Sequence, residues 1–394
     1  MQSLIDKSVL KLEPLSFIGI IAEGLDDYTT NAQGDIGSLV RLEAIRATKT
    51  LWQTRECNQE LVAPLFPQLL RLAAEKLDRV RAEAKLTLTA VLQSRDLEAF
   101  GHLSFTSKAY FSFLLALRDR ARLRVGATDF TLNIGGCTSS LLAGLVTSAD
   151  TGNEDLVIET RAALAELCQT SDEALHQVCA SLLYNLKLYA GQDRVLVPTL
   201  GVIAYLFHAG LLQRCYNAHG HVGISTTNEH RLNLKDLCLL VQKAAYKTGN
   251  MRKLEACIKV YGAIATIAGL SKTNNVDEIR CKGDDIALAG RLGAAETSDL
   301  RLVLARQEEG VAEARKRLGA LLHHPWPRVR TLVVDELWNL FVLGLGGNSG
   351  TGRDHGAIEA QEGDNRKMKT LLGVDWGKAG KPYVKKVVKE LGLE

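Results

Sequence analysis

The stretch GDIGSLVR, residues 34–41, places a glycine-bearing turn directly before a Val-Arg pair that opens an apolar helix. The same arrangement returns in EKLDRVRAEA, residues 75–84, and in HPWPRVRTLVVDEL, residues 324–337. Each of these stretches joins two segments with helical periodicity. We expect the arginine, one turn into each helix, to reach a carboxylate of a neighbouring repeat.

The turn residues of the three junctions predict how each helix starts. Asp35 and Asp78 are expected to cap the free amides of the first two helices, because a short carboxylate accepts hydrogen bonds from those N–H groups. The third junction uses Pro325 and Pro327, which suit the first helical position. A turn followed by Val-Arg resembles the HEAT repeat, a helix pair of about 40 residues.

Apolar residues at three-and-four spacing recur in about fifteen segments between Leu15 and Leu343, with no strand pattern between them. This predicts an all-α fold, an α-solenoid of HEAT/armadillo-like helical repeats over residues 1–343. Residues 344–367 are rich in glycine and polar side chains and are predicted to form a flexible linker. Residues 368–394 are predicted to form a short, partly helical tail.

Composition restricts the function classes. A net charge of +3 in 394 residues lacks the basic excess of nucleic-acid binders, so we expect protein partners. Eight cysteines without a Cys-x-x-Cys pair indicate free thiols in a reducing compartment. The apolar window 195–212 contains a proline and a histidine and is flanked by polar residues, which favours a buried helix over a membrane span.

No motif in the chain predicts catalysis. The glycine run 344–352 lacks the lysine that a phosphate-binding loop needs. Cys215, His219 and His221 are close in sequence, but no second cysteine pair accompanies them, so a loop is favoured over a zinc site. We therefore predict no catalytic residues, no metal and no cofactor. Three interpretations of the basic C-terminal segment, residues 378–389, stay open: contact with an acidic protein tail, contact with an anionic membrane, or exposure to solvent alone.

The loop DDYTTNAQGDIGSLVRLEAI, residues 26–45, carries more hydrogen-bonding side chains than a simple connector needs. It closely resembles the Asp-Tyr-Thr-Thr-x-x-x-Gly-Asp-Val-Gly-x-x-Val-Arg segment of the tubulin-folding cofactor D family, also called tubulin-specific chaperone D. HHPWPRVR, QDRVLVPTLGVIAYLFHAGLL and NRKMKTLLGV are similar to later segments of that family, in the same order. The resemblance spans about residues 15–376 and corresponds only to the C-terminal part of a longer family, which indicates an expressed fragment, a truncated gene model or a short paralogue.

This resemblance implies a chaperone without chemistry of its own, acting at most as a GTPase-activating partner on tubulin. The implied partners are β-tubulin, the α/β-tubulin heterodimer, tubulin-folding cofactors E and C, and an Arf-like small GTPase. The implied location is the cytoplasm and the microtubule cytoskeleton. The positions that match the family motif, predicted to bind a partner, are Asp27, Tyr28, Thr29, Thr30, Gly34, Asp35, Gly37 and Arg41.

Within this loop, GDIGSLVR is expected to be structural. DYTTNAQ, including Tyr28, is expected to be surplus to the fold and available for binding. Two rival interpretations remain. A generic HEAT-repeat scaffold in a trafficking or transport complex fits the helical pattern equally well. An enzyme is disfavoured, because no catalytic constellation is present.

Overall fold

The computed structural model describes residues 14–32, 34–53, 59–92, 98, 100–118, 120–125, 128–133, 137–150, 152–217, 233–245, 249–269, 294–346 and 355–394. The chain divides into two compact units, Met1–Val202 and Ile203–Glu394. Both consist mainly of helices, so the predicted all-α helical-repeat fold is confirmed.

The first unit contains short antiparallel hairpins among its helices. Its elements are α1 (Pro14–Leu25), β1 (Thr30–Asn31), β2 (Gly34–Asp35), α2 (Gly37–Trp52), α3 (Gln59–Val62), α4 (Phe66–Ala73), α5 (Asp78–Thr89), α6 (Lys108–Ala116), β3 (Arg120–Val125), β4 (Thr128–Asn133), α7 (Cys137–Ser148), α8 (Glu154–Thr170) and α9 (Asp172–Leu188). Helix α10 (Asp193–His208) contains the division between the units.

The second unit continues the helical pattern. Its elements are α11 (Leu211–Asn217), α12 (Leu234–Ala245), α13 (Met251–Ala265), a 3₁₀ helix (Thr266–Gly269), α14 (Ala294–Leu321), α15 (Pro327–Gly346), α16 (His355–Leu372) and α17 (Lys381–Glu390). Helix α14 packs on α12 and α13, α15 on α13 and α16, and α17 on α16.

Helices α4 and α7 pack closely against each other in the first unit. The site of contact is Gly144, where an added Cβ would overlap the carbonyl oxygen of Arg71. The Ser140 and Ser148 hydroxyls, one turn to either side, donate to the carbonyls of Pro67 and Ala74 at 2.9 and 2.8 Å. This face of small and hydroxyl residues on α7 fixes the position of α4 and of the residues that follow it.

The arginines of the second and third Val-Arg pairs bind mainly backbone carbonyls. Arg81 is fully buried and donates to the carbonyls of Glu75, Lys76 and Phe105, and it also pairs with Asp78. The expectation that Asp78 caps its helix is wrong, because α5 begins at Asp78 itself with no side-chain cap. Arg81 serves a different purpose from a cap: one guanidinium donates to several backbone carbonyls, and buried acceptors need such donors.

Arg330 plays the corresponding part in the second unit. It donates to the carbonyls of Gly377 and Ala379 at 3.2 and 3.1 Å, so the segment before α17 is held against α15. Beyond α17, Leu393 lies so close to Gly319 of α14 that a Cβ there would overlap the Leu393 carbonyl oxygen. The C-terminal segment therefore packs on the last helices of this unit.

Two expectations about local structure differ from the fold. Periodicity predicts one helix from Lys108 to Arg124, yet α6 ends at Ala116 and the strand β3 begins at Arg120. Polar and apolar residues alternate in RARLRV, a period of two that the helical interpretation overlooked. The predicted flexible linker also differs, because α16 begins at His355 and residues 355–367 are therefore helical. The predicted domain boundaries stay predictions.

The apolar window 195–212 forms most of α10 and the start of α11, with a break at Gly210, whose φ is +71°. Its apolar side chains, such as Leu196, Leu200 and Phe207, are buried. Within the described ranges, no helix is both long and apolar enough to cross a membrane.

Replacing Gly144 by alanine tests the α4–α7 contact. The new methyl group meets backbone that cannot rotate away, so we expect Gly144→Ala to lower the free energy of unfolding by about 2 kcal/mol or more. Gly19→Ala is the matched control, because Gly19 lies inside α1 with no atom within 4 Å of an added Cβ. That change should be neutral or stabilise by up to about 1 kcal/mol; equal effects of both in urea denaturation would contradict the packing.

Glu336 generates a pH-dependent prediction. This half-buried carboxyl on α15 lies against Gly262 of α13, and burial raises its pKa to about 7, with Lys259 opposing and Asp335 adding to the shift. The folded chain therefore binds more protons than the unfolded chain above pH 4.5, so stability falls as the pH rises toward 7. A Glu336→Gln variant has no carboxyl group at this position, so it should not lose this stability as the pH rises.

We expect the Glu336→Gln variant to be about 2 kcal/mol more stable than the parent at pH 8, after allowance for partial exposure, and close to it at pH 4.5. Chemical denaturation at both pH values measures the difference. Glu308→Gln, an exposed change on α14, should show no such dependence on pH, and a parallel gain there would refute the assignment to Glu336.

Candidate functional site

The loop between α1 and α2 folds as a small antiparallel hairpin, in which Thr30 pairs with Asp35 and Asn31 with Gly34. Gly34 has a φ of +120°, a conformation that residues with a side chain rarely adopt. Gly37 is required for space, because a Cβ there would lie 2.5 Å from the carbonyl oxygen of Asp27. These two glycines let the loop close tightly onto the start of α2.

Asp35 joins the loop to α2 in two ways. Its carboxylate Oδ1 accepts the backbone N–H of Ser38 at 3.0 Å, which confirms the predicted cap. Its Oδ2 also lies 2.6 Å from Nη2 of Arg41. Arg41 donates in addition to the carbonyl of Asp27, so one arginine holds both ends of the loop.

The carboxylate of Glu75, just after α4, is where the loop meets the rest of the first unit. Its side chain is 2% exposed, and its Oε1 lies 3.1 Å from Nη2 of Arg41 and 3.3 Å from Nη1 of Arg194 on α10. Its Oε2 accepts the Tyr28 hydroxyl at 3.2 Å. For Arg41, the expectation of a carboxylate from a neighbouring repeat is confirmed.

Tyr28 lies among three guanidinium groups. The Cζ atoms of Arg194, Arg41 and Arg71 lie 3.1, 4.2 and 5.5 Å from the centre of its ring. A cation over an aromatic face is attracted by the ring quadrupole, more strongly where water is excluded. We call Tyr28, Arg41, Arg71, Glu75 and Arg194 the Tyr28 cluster.

Charges in and around the Tyr28 cluster are balanced. Arg71 lies 2.7 Å from the Asp26 carboxylate and donates to the Leu25 carbonyl, while Asp35 and Glu75 face Arg41. Burial, and then the Glu75 charge, raise the pKa of the Tyr28 hydroxyl, so it stays protonated and donates to Glu75. The cluster is therefore a neutralised structural joint with no free base or nucleophile in it.

Asp27 and Thr29 face a different way, into a groove between α1 and α2. We call it the α1–α2 groove; its volume is about 430 Å³. Ile20, Ile21, Val40 and Ala44 form its apolar surface.

The acidic groups Glu23, Asp27 and Glu43 surround the apolar surface of the α1–α2 groove. Ile20 and Val40 are 51% and 45% exposed, unusually open for apolar side chains that line one depression. Hydrogen bonds from the Thr29 side chain and backbone N–H lower the pKa of Asp27, which keeps that carboxyl ionised. The groove thus suits a segment that is apolar and basic.

The structure divides the predicted partner-binding residues into two groups. Tyr28, Gly34, Asp35, Gly37 and Arg41 hold the loop in place, whereas Asp27 and Thr29 line the α1–α2 groove and Thr30 is exposed on β1. Their role in binding a partner stays a prediction. The expectation that Tyr28 is surplus to the fold is not supported by its contacts.

Sequence reasoning missed the cluster residues outside the loop, namely Arg71, Glu75 and Arg194. Each is charged yet lies in or beside an apolar helical stretch, for example RLAAEK around Glu75. A charge at such a position signals a paired interior group, but not its partner, 119 residues away in the case of Arg194 and Glu75.

Among the described residues, no group of three or more His, Cys, Asp and Glu side chains is placed to hold a metal ion. Cys215 lies in α11, while His219 and His221 lie outside the described residues. What the fold and the groove define is a helical-repeat protein whose distinctive site is a surface depression.

Comparison with known families names the segment more closely. Residues 63–253, nearly half of the chain, match the family model described as tubulin folding cofactor D C terminal. Over this segment, the resemblance to that family predicted from the sequence is confirmed. The match includes Arg71, Glu75 and Arg194 but begins after the loop 26–45, so three residues of the Tyr28 cluster lie within the family segment and two precede it.

Substitutions at Tyr28 separate its ring from its hydroxyl. Tyr28→Ala leaves three arginines without their shared aromatic surface, and we expect a loss of about 2–3 kcal/mol in the free energy of unfolding. Tyr28→Phe keeps the ring and loses one hydrogen bond to a carboxylate, for a loss of about 1 kcal/mol.

Thr30→Ala, an exposed change in the same hairpin, is the control for Tyr28 and should alter stability by less than about 0.5 kcal/mol. Thermal denaturation followed by circular dichroism measures all three variants. A Tyr28→Ala chain as stable as Thr30→Ala would show that the cluster does not stabilise the fold.

Proposed function

We propose that this chain acts as a tubulin-specific chaperone segment that binds β-tubulin and helps to assemble or disassemble the α/β-tubulin heterodimer. It does so together with tubulin-folding cofactors E and C and an Arf-like small GTPase, in the cytoplasm and at the microtubule cytoskeleton. Any effect on GTP hydrolysis is exerted on tubulin within that complex. The family match over residues 63–253 is the observation that carries the proposal.

The helical-repeat fold supports a role in holding a protein rather than transforming a small molecule. Helical repeats present extended surfaces on which many modest contacts add up, and such contacts are made and released without chemistry. In the Tyr28 cluster, Tyr28, Arg41 and Arg194 each contact the Glu75 carboxylate. The cluster thus supplies a rigid frame beside the surface that binds.

The α1–α2 groove is the surface that we assign to tubulin. A Cβ added to Gly24 would lie 3.0 Å from the Ala44 side chain. Helices α1 and α2 are therefore in close contact, and the floor of the groove between them is rigid. Rigid apolar pockets give the largest contributions in protein interfaces. Asp27 and Thr29, which belong to the stretch that resembles the family motif, lie at its edge.

Removing the apolar surface of the groove tests this assignment. The double variant Ile20→Ser/Val40→Ser changes two exposed side chains, so it should fold normally and bind purified α/β-tubulin at least about tenfold more weakly. The double variant Leu86→Ser/Ile158→Ser is the matched control, because those side chains are 52% and 57% exposed on other helices. Tubulin binding by this control should match the parent chain.

Size-exclusion chromatography with tubulin, and affinity capture with cofactor E and the Arf-like GTPase, give the two measurements. A folded parent chain that retains none of these proteins overturns the proposed function and leaves the generic scaffold. If the Ile20→Ser/Val40→Ser variant binds tubulin as well as the parent chain does, the proposed function is supported but the groove is rejected as the binding site.

A further inference from the structure

The helix α17 carries a row of lysines that no described carboxylate neutralises. Lys381, Lys385 and Lys389 are spaced four residues apart and are all exposed, so they follow one face of the helix about 6 Å apart. We call them the lysine row. The other two lysines nearby, Lys378 and Lys386, lie 3.8 Å from Asp375 and Glu390.

Taken alone, the lysine row and the start of α17 destabilise this helix. Like charges at four-residue spacing repel each other and weaken a helix, and the N-cap residue Gly380 offers no side-chain cap. The helix nevertheless has a fixed place, because Val384, Val387 and Val388 are buried beneath it. Its positive face is therefore held rigidly toward solvent by its apolar face.

A shallow depression lies on another side of α17, because its lining residues Tyr383, Lys386 and Glu390 are turned roughly 150° around the helix axis from the row. It has a volume of about 240 Å³ and is lined by Thr370, Tyr383, Lys386 and Glu390, among others. Tyr383, which lines this depression, is 51% exposed. A segment bound along the row therefore contacts the lysines rather than Tyr383, so charge is the property that recognises it.

We propose that the lysine row binds an acidic peptide segment of a partner protein in an extended conformation. In an extended chain, side chains two residues apart lie on one face at about 6.6–6.8 Å. That repeat is close to the spacing of the row, so alternate carboxylates meet successive lysines. This surface lies at the other end of the chain from the α1–α2 groove and does not rest on the function proposed above.

An anionic membrane is the competing partner for a basic helix, and the burial of α17 argues against it. Membrane-surface helices bind by inserting their apolar face among the lipids, whereas Val384, Val387 and Leu391 are at most 2% exposed here. A nucleic acid is disfavoured by the net charge of only +3 over the chain. Both remain defined outcomes of the test.

The test compares two sets of charge removals in the full chain. The first is Lys381→Gln/Lys385→Gln/Lys389→Gln, and the control is Lys187→Gln/Lys243→Gln/Lys316→Gln, which removes the same charge from exposed positions on three other helices. The probe is a fluorescein-labelled ten-residue peptide in which glutamate and serine alternate, followed by fluorescence anisotropy.

We expect the parent chain to bind the peptide, the first variant to bind at least about tenfold more weakly, and the control to stay within about twofold. Binding should weaken with added salt, because the contacts are exposed. The melting temperature of the first variant should equal or exceed that of the parent, since the removed charges repel one another.

Three results would overturn the proposal. One is an equal loss for both triple variants, which would reflect net charge alone. Another is absence of peptide binding by the folded parent. The third is tighter binding, through the lysine row, to phosphatidylserine-containing vesicles or to a single-stranded oligonucleotide than to the peptide.

Discussion

The carboxylate of Glu75 is the group on which the arrangement of the first unit depends. It accepts hydrogen bonds from Tyr28 in the loop, Arg41 on α2 and Arg194 on α10, across sequence separations of 47, 34 and 119 residues. A buried charge without partners costs several kcal/mol, whereas a fully paired one is tolerated and specifies which groups must meet. One side chain thereby fixes how three distant segments are placed.

The carboxylate is in turn held by its own surroundings. Arg81 binds the backbone carbonyls of Glu75 and Lys76, and the close contact between α4 and Gly144 of α7 sets the position of the helix that precedes them. Apolar packing, which has little directionality, brings the helices together. The arginine contacts, which require particular donor and acceptor geometry, then select the register of the loop.

Rigidity of the Tyr28 cluster has a functional consequence under the function proposed here. The loop presents Asp27 and Thr29 at the edge of the α1–α2 groove, and a loop that is already ordered loses little conformational freedom on binding. The same reasoning holds for α17, whose buried valines hold the lysine row in a fixed line. In both places an interior contact prepares a surface, so substitutions that weaken packing also weaken recognition.

Much of this protein is determined by its sequence alone. Helical periodicity predicts the all-α fold, the turn before Val-Arg predicts where α2 and α15 begin, and the residues around Tyr28 carry the family resemblance. These are local properties: a period, a capping residue and a short motif are all contained within one turn or one helix. The hairpin of β3 and β4 shows the limit, because its alternating pattern was short and adjoined a helical one.

Only the tertiary structure decided what the charged residues do. Arg41, Arg81 and Arg330 occupy equivalent positions in similar motifs, yet the first meets a carboxylate and the others mainly carbonyls. The local pattern does not distinguish them. Arg41 and Arg330 find partners 34 and 47–49 residues away, whereas Arg81 binds carbonyls five, six and 24 residues away. Tyr28 changes from a surplus loop residue to the centre of the joint for the same reason: the ring contacts that define its role come from Arg194, which the chain reaches only through the fold.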